Sequence, residues 1–223
     1  APAPPSGPMI DRGAFVRDKG TKVGAGLIAA RRFDPQFVMI FDADDFVSRR
    51  IAGFVSERPT APGWVIDRGW MYSSLRGVFR PIERFNKTCG TSFIIPFAAY
   101  GVPSHLSVDA PQSIIADSFG DRLASIMGAH RDAVEWHATR GRILERLPFR
   151  GAVYHVDTGE NHSGKSLKGL AVLATTKLLT EFGITSHRNA RHRILAAVGP
   201  QYAAESLRSF VAGLRARAGR RFR

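Results

Sequence analysis

The stretch Phe37-Val38-Met39-Ile40-Phe41-Asp42-Ala43-Asp44-Asp45 decides how the chain is read. Five consecutive apolar residues, β-branched and aromatic types among them, predict a strand buried on both faces, and such strands belong to sheets covered by helices. Three carboxylates follow at once. A strand leaving the core into Asp-x-Asp-Asp delivers its acids at the carboxyl edge of the sheet, where α/β proteins place their ligands. Acids this close repel one another unless a cation lies between them, and oxygen ligands suit Mg or Mn. The other reading is an acidic helix start, with Asp44 or Asp45 capping a helix over Val47 to Phe54.

Working outward, Thr21 to Asp34-Pro35 carries Val23, Leu27 and Ala30 at helical spacing, with Thr21 as the expected N-cap. Lys19 and Lys22 then flank a helix start, where free amides and the helix dipole add to their charge and suit a phosphate. Solvated lysines beside a turn are the alternative. Downstream, Ser48–Val55 predicts a short helix, and Trp64–Asp67 predicts a strand. Trp70, Met71 and Tyr72 form an aromatic patch that is either core or a platform for a sugar ring. Asn86 to Ser92 is a polar turn entering the strand Phe93-Ile94-Ile95. Ser118 to Met127 predicts a helix with Asp121 near its start, as a dipole carboxylate or a general base. His130, Glu135 and His137 follow on helical spacing, but Glu135 and His137, two apart, do not share a helix face, which speaks against a metal site there.

These pieces resemble a glycosyltransferase of the GT-A fold, in a bacterial subgroup akin to family 2. The resemblance rests on Asp18-Lys19-Gly20-Thr21-Lys22-Val23-Gly24, Phe37–Asp45, Phe85-Asn86-Lys87-Thr88-Cys89-Gly90-Thr91-Ser92 and Gly159-Glu160-Asn161-His162-Ser163-Gly164, and it covers Lys19 to Gly164. It implies an α/β, Rossmann-like mixed and mostly parallel sheet flanked by helices. The nucleotide-binding part ahead of the Asp motif is short or missing. It further implies transfer of a sugar from a UDP- or GDP-linked donor to a hydroxyl acceptor. The divalent ion, Mn or Mg, would be held by Asp42, Asp44 and His162. Lys19, Lys22, Asp42 and Lys165 would hold the diphosphate, and Trp70, Gly90, Thr91 and Ser92 the acceptor. Asp121 would be the base of an inverting enzyme.

Gly159 to Ser166 also matches G-x-x-x-x-G-K-[ST] position by position. Ala152–Val156 predicts the strand before it. Leu167, Leu170, Ala171, Ala174, Leu178 and Phe182 trace a helical stripe after it, ending at Gly183. A P-loop nucleotide-binding protein is therefore the competing function, although no later buried strand supplies a second magnesium-binding acid. A non-enzymatic basic binding protein is the third.

Composition bounds these choices. The chain has 223 residues, 44% of them hydrophobic, and a net charge of +13, which calls for an anionic partner. The one cysteine, Cys89, excludes an internal disulfide and fits a cytoplasmic setting. No run is long enough to span a bilayer. The expected organisation is a Pro-rich lead-in (1–10), a catalytic domain (11–185) and a basic helical segment (186–223). In that last segment Leu207, Phe210, Val211 and Leu214 lie beside Arg208, Arg215 and Arg217, a pattern that fits peripheral contact with anionic membrane, a solvated tail or nucleic acid. No motif for specific nucleic-acid reading accompanies it.

Overall fold

The computed structural model describes residues 12–158, 165–185 and 190–208. In chain order these form helix α1 (Arg12–Ala30), strands β1 (Phe37–Ile40) and β2 (Phe46–Val47), helix α2 (Arg50–Ser56), and strands β3 (Trp64–Val65), β4 (Arg68–Ser73), β5 (Val78–Glu83) and β6 (Phe93–Pro96). Helix α3 (Gln112–Phe119), a π-helical turn (Leu123–Met127), helix α4 (Ala133–Ala138), strands β7 (Glu145–Arg146), β8 (Ala152–Val156) and β9 (Val172–Leu173), and helices α5 (Thr176–Phe182) and α6 (Ala190–Val198) complete the series. Residues 200–208 are helical as well.

The chain divides into two compact units, each with its own sheet. The first comprises Ala1–Ala43, Ala52–Asp67 and Arg84–Phe149; the second comprises Asp44–Ile51, Arg68–Glu83 and Arg150–Arg223.

In the first unit the sheet order is β1-β6-β3-β7. Helix α1 packs on the π-helical turn and α3 through two glycines. A Cβ at Gly20 would stand 2.8 Å from Leu123 Cγ, and one at Gly24 would stand 2.9 Å from both Ile115 and Phe119. Here glycine serves close helix approach. Leu27, Ile28, Phe93, Ile95, Tyr100, Phe119, Leu123 and Met127 form the core of this unit. In the second unit the order is β2-β8-β4-β5-β9. One of its cores joins Met71, Val78, Val156 and Leu167 to Ala196 and Ala197 of α6, and another joins Tyr72, Phe79 and Val153 to Ala174, Phe182 and Ile184.

The class is α/β with mixed sheets flanked by helices, but the sheets are not mostly parallel. Among the described residues five pairings are antiparallel, and only β3–β7 and β4–β8 are parallel. Short loops and hairpins such as β4–β5 join neighbours that a parallel sheet would have to link by helical crossovers. The strand β1 is likewise not a doubly buried central strand. Among the described residues it is a half-buried edge strand paired to β6 alone, and Phe41 is exposed.

Helix α1 corrects another expectation. Thr21 is not an N-cap: it lies in mid-helix, buried, and its hydroxyl donates to the Arg17 carbonyl at 2.6 Å. Lys19 and Lys22 therefore have no free amides beside them. Before α2 the capping oxygen belongs to Ser48, which accepts from the Arg50 amide at 3.3 Å, rather than to Asp44 or Asp45. The stripe from Leu167 becomes helical only at Thr176, where Thr175 caps α5 by accepting from the Leu178 amide; the helix does end at Gly183, in the left-handed conformation. Strand β8 covers Ala152–Val156, the span read from the sequence.

Candidate functional site

A recess in the first unit gathers residues from four separate segments. Lys19 comes from the middle of α1, Asp42 from the end of β1, Gly90 from the turn before β6, and His130 from the loop after the π-helical turn; Phe93 and Tyr100 are also in its wall. The Lys19 ammonium donates to Asp42 Oδ1 at 2.5 Å, with both side chains partly exposed. The Asp42 amide donates to the Thr91 hydroxyl at 3.1 Å, which fixes the turn after β1 against the turn before β6. Gly90 keeps the mouth open. A Cβ there would lie 3.4 Å from His130 Nδ1, 3.6 Å from Lys19 Nζ and 3.7 Å from Asp42 Oδ2. Burial raises the pKa of the Tyr100 hydroxyl, so the phenol stays protonated.

The recess has a volume of about 20 Å³, room for about one water molecule. It accepts a single ligand atom, and the remainder of any ligand lies outside it. An ammonium, a carboxylate and an imidazole suit a phosphate oxygen against Lys19 and a hydroxyl donating to Asp42. For a divalent ion, Asp42 is the single carboxylate among the described residues of the wall, with the Lys19 ammonium opposing it; the other oxygens around such an ion would come from a diphosphate, water or residues outside this wall. Among the described residues no group of three or more His, Cys, Asp or Glu is placed to hold a metal.

The other residues read from the sequence are dispersed. Lys22 pairs with Asp18 at 2.8 Å one helical turn away. Thr91 and Ser92 are fully buried; the Ser92 hydroxyl donates to the Cys89 carbonyl at 2.6 Å rather than facing an acceptor. Asp121 begins the turn leading into the π-helix, and its carboxylate accepts from Arg140 at 2.6 Å and from Trp136 Nε1 at 3.2 Å. It is not part of the recess wall. Asp44 and Trp70 fall in the second unit. Asp44 is exposed, and its neighbour Asp45 is buried and accepts from the His155 amide at 3.2 Å. Trp70 lies in β4 with the Arg150 guanidinium 5.0 Å over its ring. His162 lies outside the described residues. Lys165 rests 5.4 Å over the Tyr154 ring, and the residues after Ser166 lack the helix that a P-loop requires.

His130 and Tyr100 are the wall residues with polar side chains that the sequence did not single out for this role. The spacing of His130 to Glu135 implied a shared helix, but α4 begins at Ala133 and leaves His130 in a loop. His137, inside α4, is a core residue; burial first, then Arg142 and Arg140, push its pKa down to about 4.

Comparison with known proteins gives no match: no protein-family model, no curated protein and no solved structure matches the chain.

Proposed function

We propose that the chain binds a nucleotide sugar at the Lys19–Asp42 recess and transfers its sugar to a hydroxyl acceptor. One observation carries this reading. Asp18–Gly24, Phe37–Asp45 and Phe85–Ser92, the three described segments on which the resemblance rests, each send a residue to the same recess, namely Lys19, Asp42 and Gly90.

In this reading Lys19 places its charge on the diphosphate and stabilises it as the glycosidic bond breaks. Asp42 accepts a hydrogen bond from a sugar hydroxyl and holds Lys19 in place meanwhile. Gly90 leaves the space into which the ligand atom fits. A Mn or Mg ion, as the resemblance implies, would take Asp42 and diphosphate oxygens as ligands and would neutralise charge on the departing diphosphate.

The test is calorimetric titration with UDP-, GDP- and CDP-sugars and with ATP and GTP, each with and without Mn. At least one nucleotide sugar should bind more tightly than either triphosphate, and Lys19→Met should weaken it by about tenfold or more, the scale of one lost charge-assisted hydrogen bond. Binding of ATP or GTP alone, or donor binding unaffected by Lys19→Met, would overturn the assignment.

A further inference from the structure

Lys177 and Glu181 stand one helical turn apart in α5, the spacing at which lysine and glutamate form an ion pair, yet that pair is not made. Glu181 turns elsewhere: its Oε1 accepts from the Ser48 hydroxyl at 2.8 Å and stands 3.8 Å from Arg50 Nη1. The Arg49 amide donates to the Glu181 carbonyl at 3.2 Å. These three contacts hold residues 48–50 against the end of α5. Within the second unit they leave a cleft lined by Arg49, Arg50, Thr176, Lys177, Thr180 and Glu181.

The chemistry of this lining is one-sided. Among the described residues of the second unit, arginine and lysine outnumber aspartate and glutamate two to one, and three of those cations meet at this cleft. Its one acid, Glu181, is already engaged by Ser48 and Arg50. The Arg49 guanidinium and the Lys177 ammonium pair with no carboxylate among the described residues, so their charge is left for a ligand. Thr176 and Thr180, one turn apart on α5 and both exposed, add two hydroxyls. Guanidinium groups match phosphate oxygens in pairs, and an ammonium adds a point charge. Three cations and one carboxylate leave two positive charges, which balance a phosphomonoester above about pH 6 but exceed the single charge of a diester. The volume of about 330 Å³ lies at the lower end of small-molecule sites and has room for a phosphate with a small organic group. We infer that this cleft binds a small phosphomonoester, with Arg49, Arg50 and Lys177 around the phosphate and the two threonine hydroxyls donating to its oxygens. The site is separate from the Lys19–Asp42 recess and does not rest on the function proposed for it.

Calorimetric titration of the full chain with glycerol phosphate, inorganic phosphate and dimethyl phosphate, at neutral pH and low ionic strength, tests this. Glycerol phosphate should bind at least tenfold more tightly than dimethyl phosphate and more tightly than inorganic phosphate, and added salt should weaken it. Arg49→Gln with Lys177→Gln should reduce its affinity by about tenfold or more with an unchanged melting temperature, because neither side chain gives up a partner within the fold. Lys19→Met should leave glycerol phosphate binding as it is. Absence of binding, equal affinity for the diester, or binding that survives the double substitution would each overturn the inference. Inorganic phosphate binding as tightly as the ester would overturn the ester assignment in favour of the free anion. Loss of binding with Lys19→Met instead of the double variant would move the ligand to the recess and overturn the inference as well.

Discussion

Lys19 in the first unit and Arg76 in the second are both long cations fixed at one end of a sheet, yet their surroundings differ in kind. Arg76 is 6% exposed and donates to three backbone carbonyls: to Leu167 at 2.9 Å, to Gly169 at 2.8 Å, and twice to Ala196 at 3.2 and 2.5 Å. The Tyr202 ring lies 3.6 Å from its guanidinium carbon. Its pKa is lowered, mainly by burial. Lys19 has one carboxylate, an open side and a neighbouring glycine that leaves room. A cation whose donors all end on backbone is a fastener. A cation that keeps one face toward a recess can exchange its partner for a ligand.

The largest effect expected from breaking this contrast is at Arg76. Arg76→Ala leaves the carbonyls of Leu167, Gly169 and Ala196 without their donor and should destabilise the second unit by about 3–5 kcal/mol. Arg76→Lys, which keeps the charge but cannot fork, should recover only part of this; urea unfolding would measure both.

A titratable group held in the same way sharpens the point. His137 is buried, with a folded pKa of about 4 against an ordinary value of 6.5. Between those values the unfolded chain takes up a proton that the fold refuses, so stability is lost as pH falls from about 6.5 to about 4. The loss reaches up to roughly 3 kcal/mol. Urea midpoints at pH 7 and pH 4.5 should differ more for the wild type than for His137→Gln, and equal differences would count against a buried neutral imidazole.

Next in size is the packing behind the recess. A Cβ at Gly128 would meet the Val16 carbonyl oxygen at 2.0 Å, a contact with backbone that no rotamer relieves. Gly128→Ala should cost about 1–3 kcal/mol of stability and weaken donor binding with it. At the small end, Lys19→Met and Asp42→Asn should change stability by about 1 kcal/mol or less, because the pair is partly exposed, while still reducing donor affinity. If Lys19→Met destabilises the fold as much as Arg76→Ala should, the contrast between fastener and ligand group fails.

Local chemistry made part of this legible. The apolar run of β8 and the glycine closing α5 were readable because each is set by its own residues. What was missed depended on partners distant in sequence. Gly20 and Gly24 look like punctuation before a helix until Leu123, Ile115 and Phe119 are known to press against them. Leu167, Leu170 and Ala171 have helical spacing, but they are held straight by Arg76 and by residues of the last helical segment: Glu205 accepts from the Gly169 amide at 2.6 Å and Ser206 from the Leu170 amide at 2.8 Å. Phe37–Ile40 reads as a central strand because its hydrophobicity cannot reveal that β6 covers one side only. Among the recess residues, Lys19 and Asp42 were read from the helix and the acidic strand end that carry them, and Gly90 from the resemblance alone. His130 carried no signal, since its place depends on where α4 begins.

The chain passes between the units after Ala43, Ile51, Asp67, Glu83 and Phe149, and this has a consequence for how the molecule is made. Strands β2 and β4 both lie against β8, which is the last of the three to be synthesised. At ribosomal speeds of about 5–20 residues per second, the span from Ser73 to Ala152 leaves β4 without its parallel neighbour for roughly 4–16 s. During that interval the β4 side of the nascent hairpin, residues 68–83, leaves a row of backbone N–H and C=O groups unpaired.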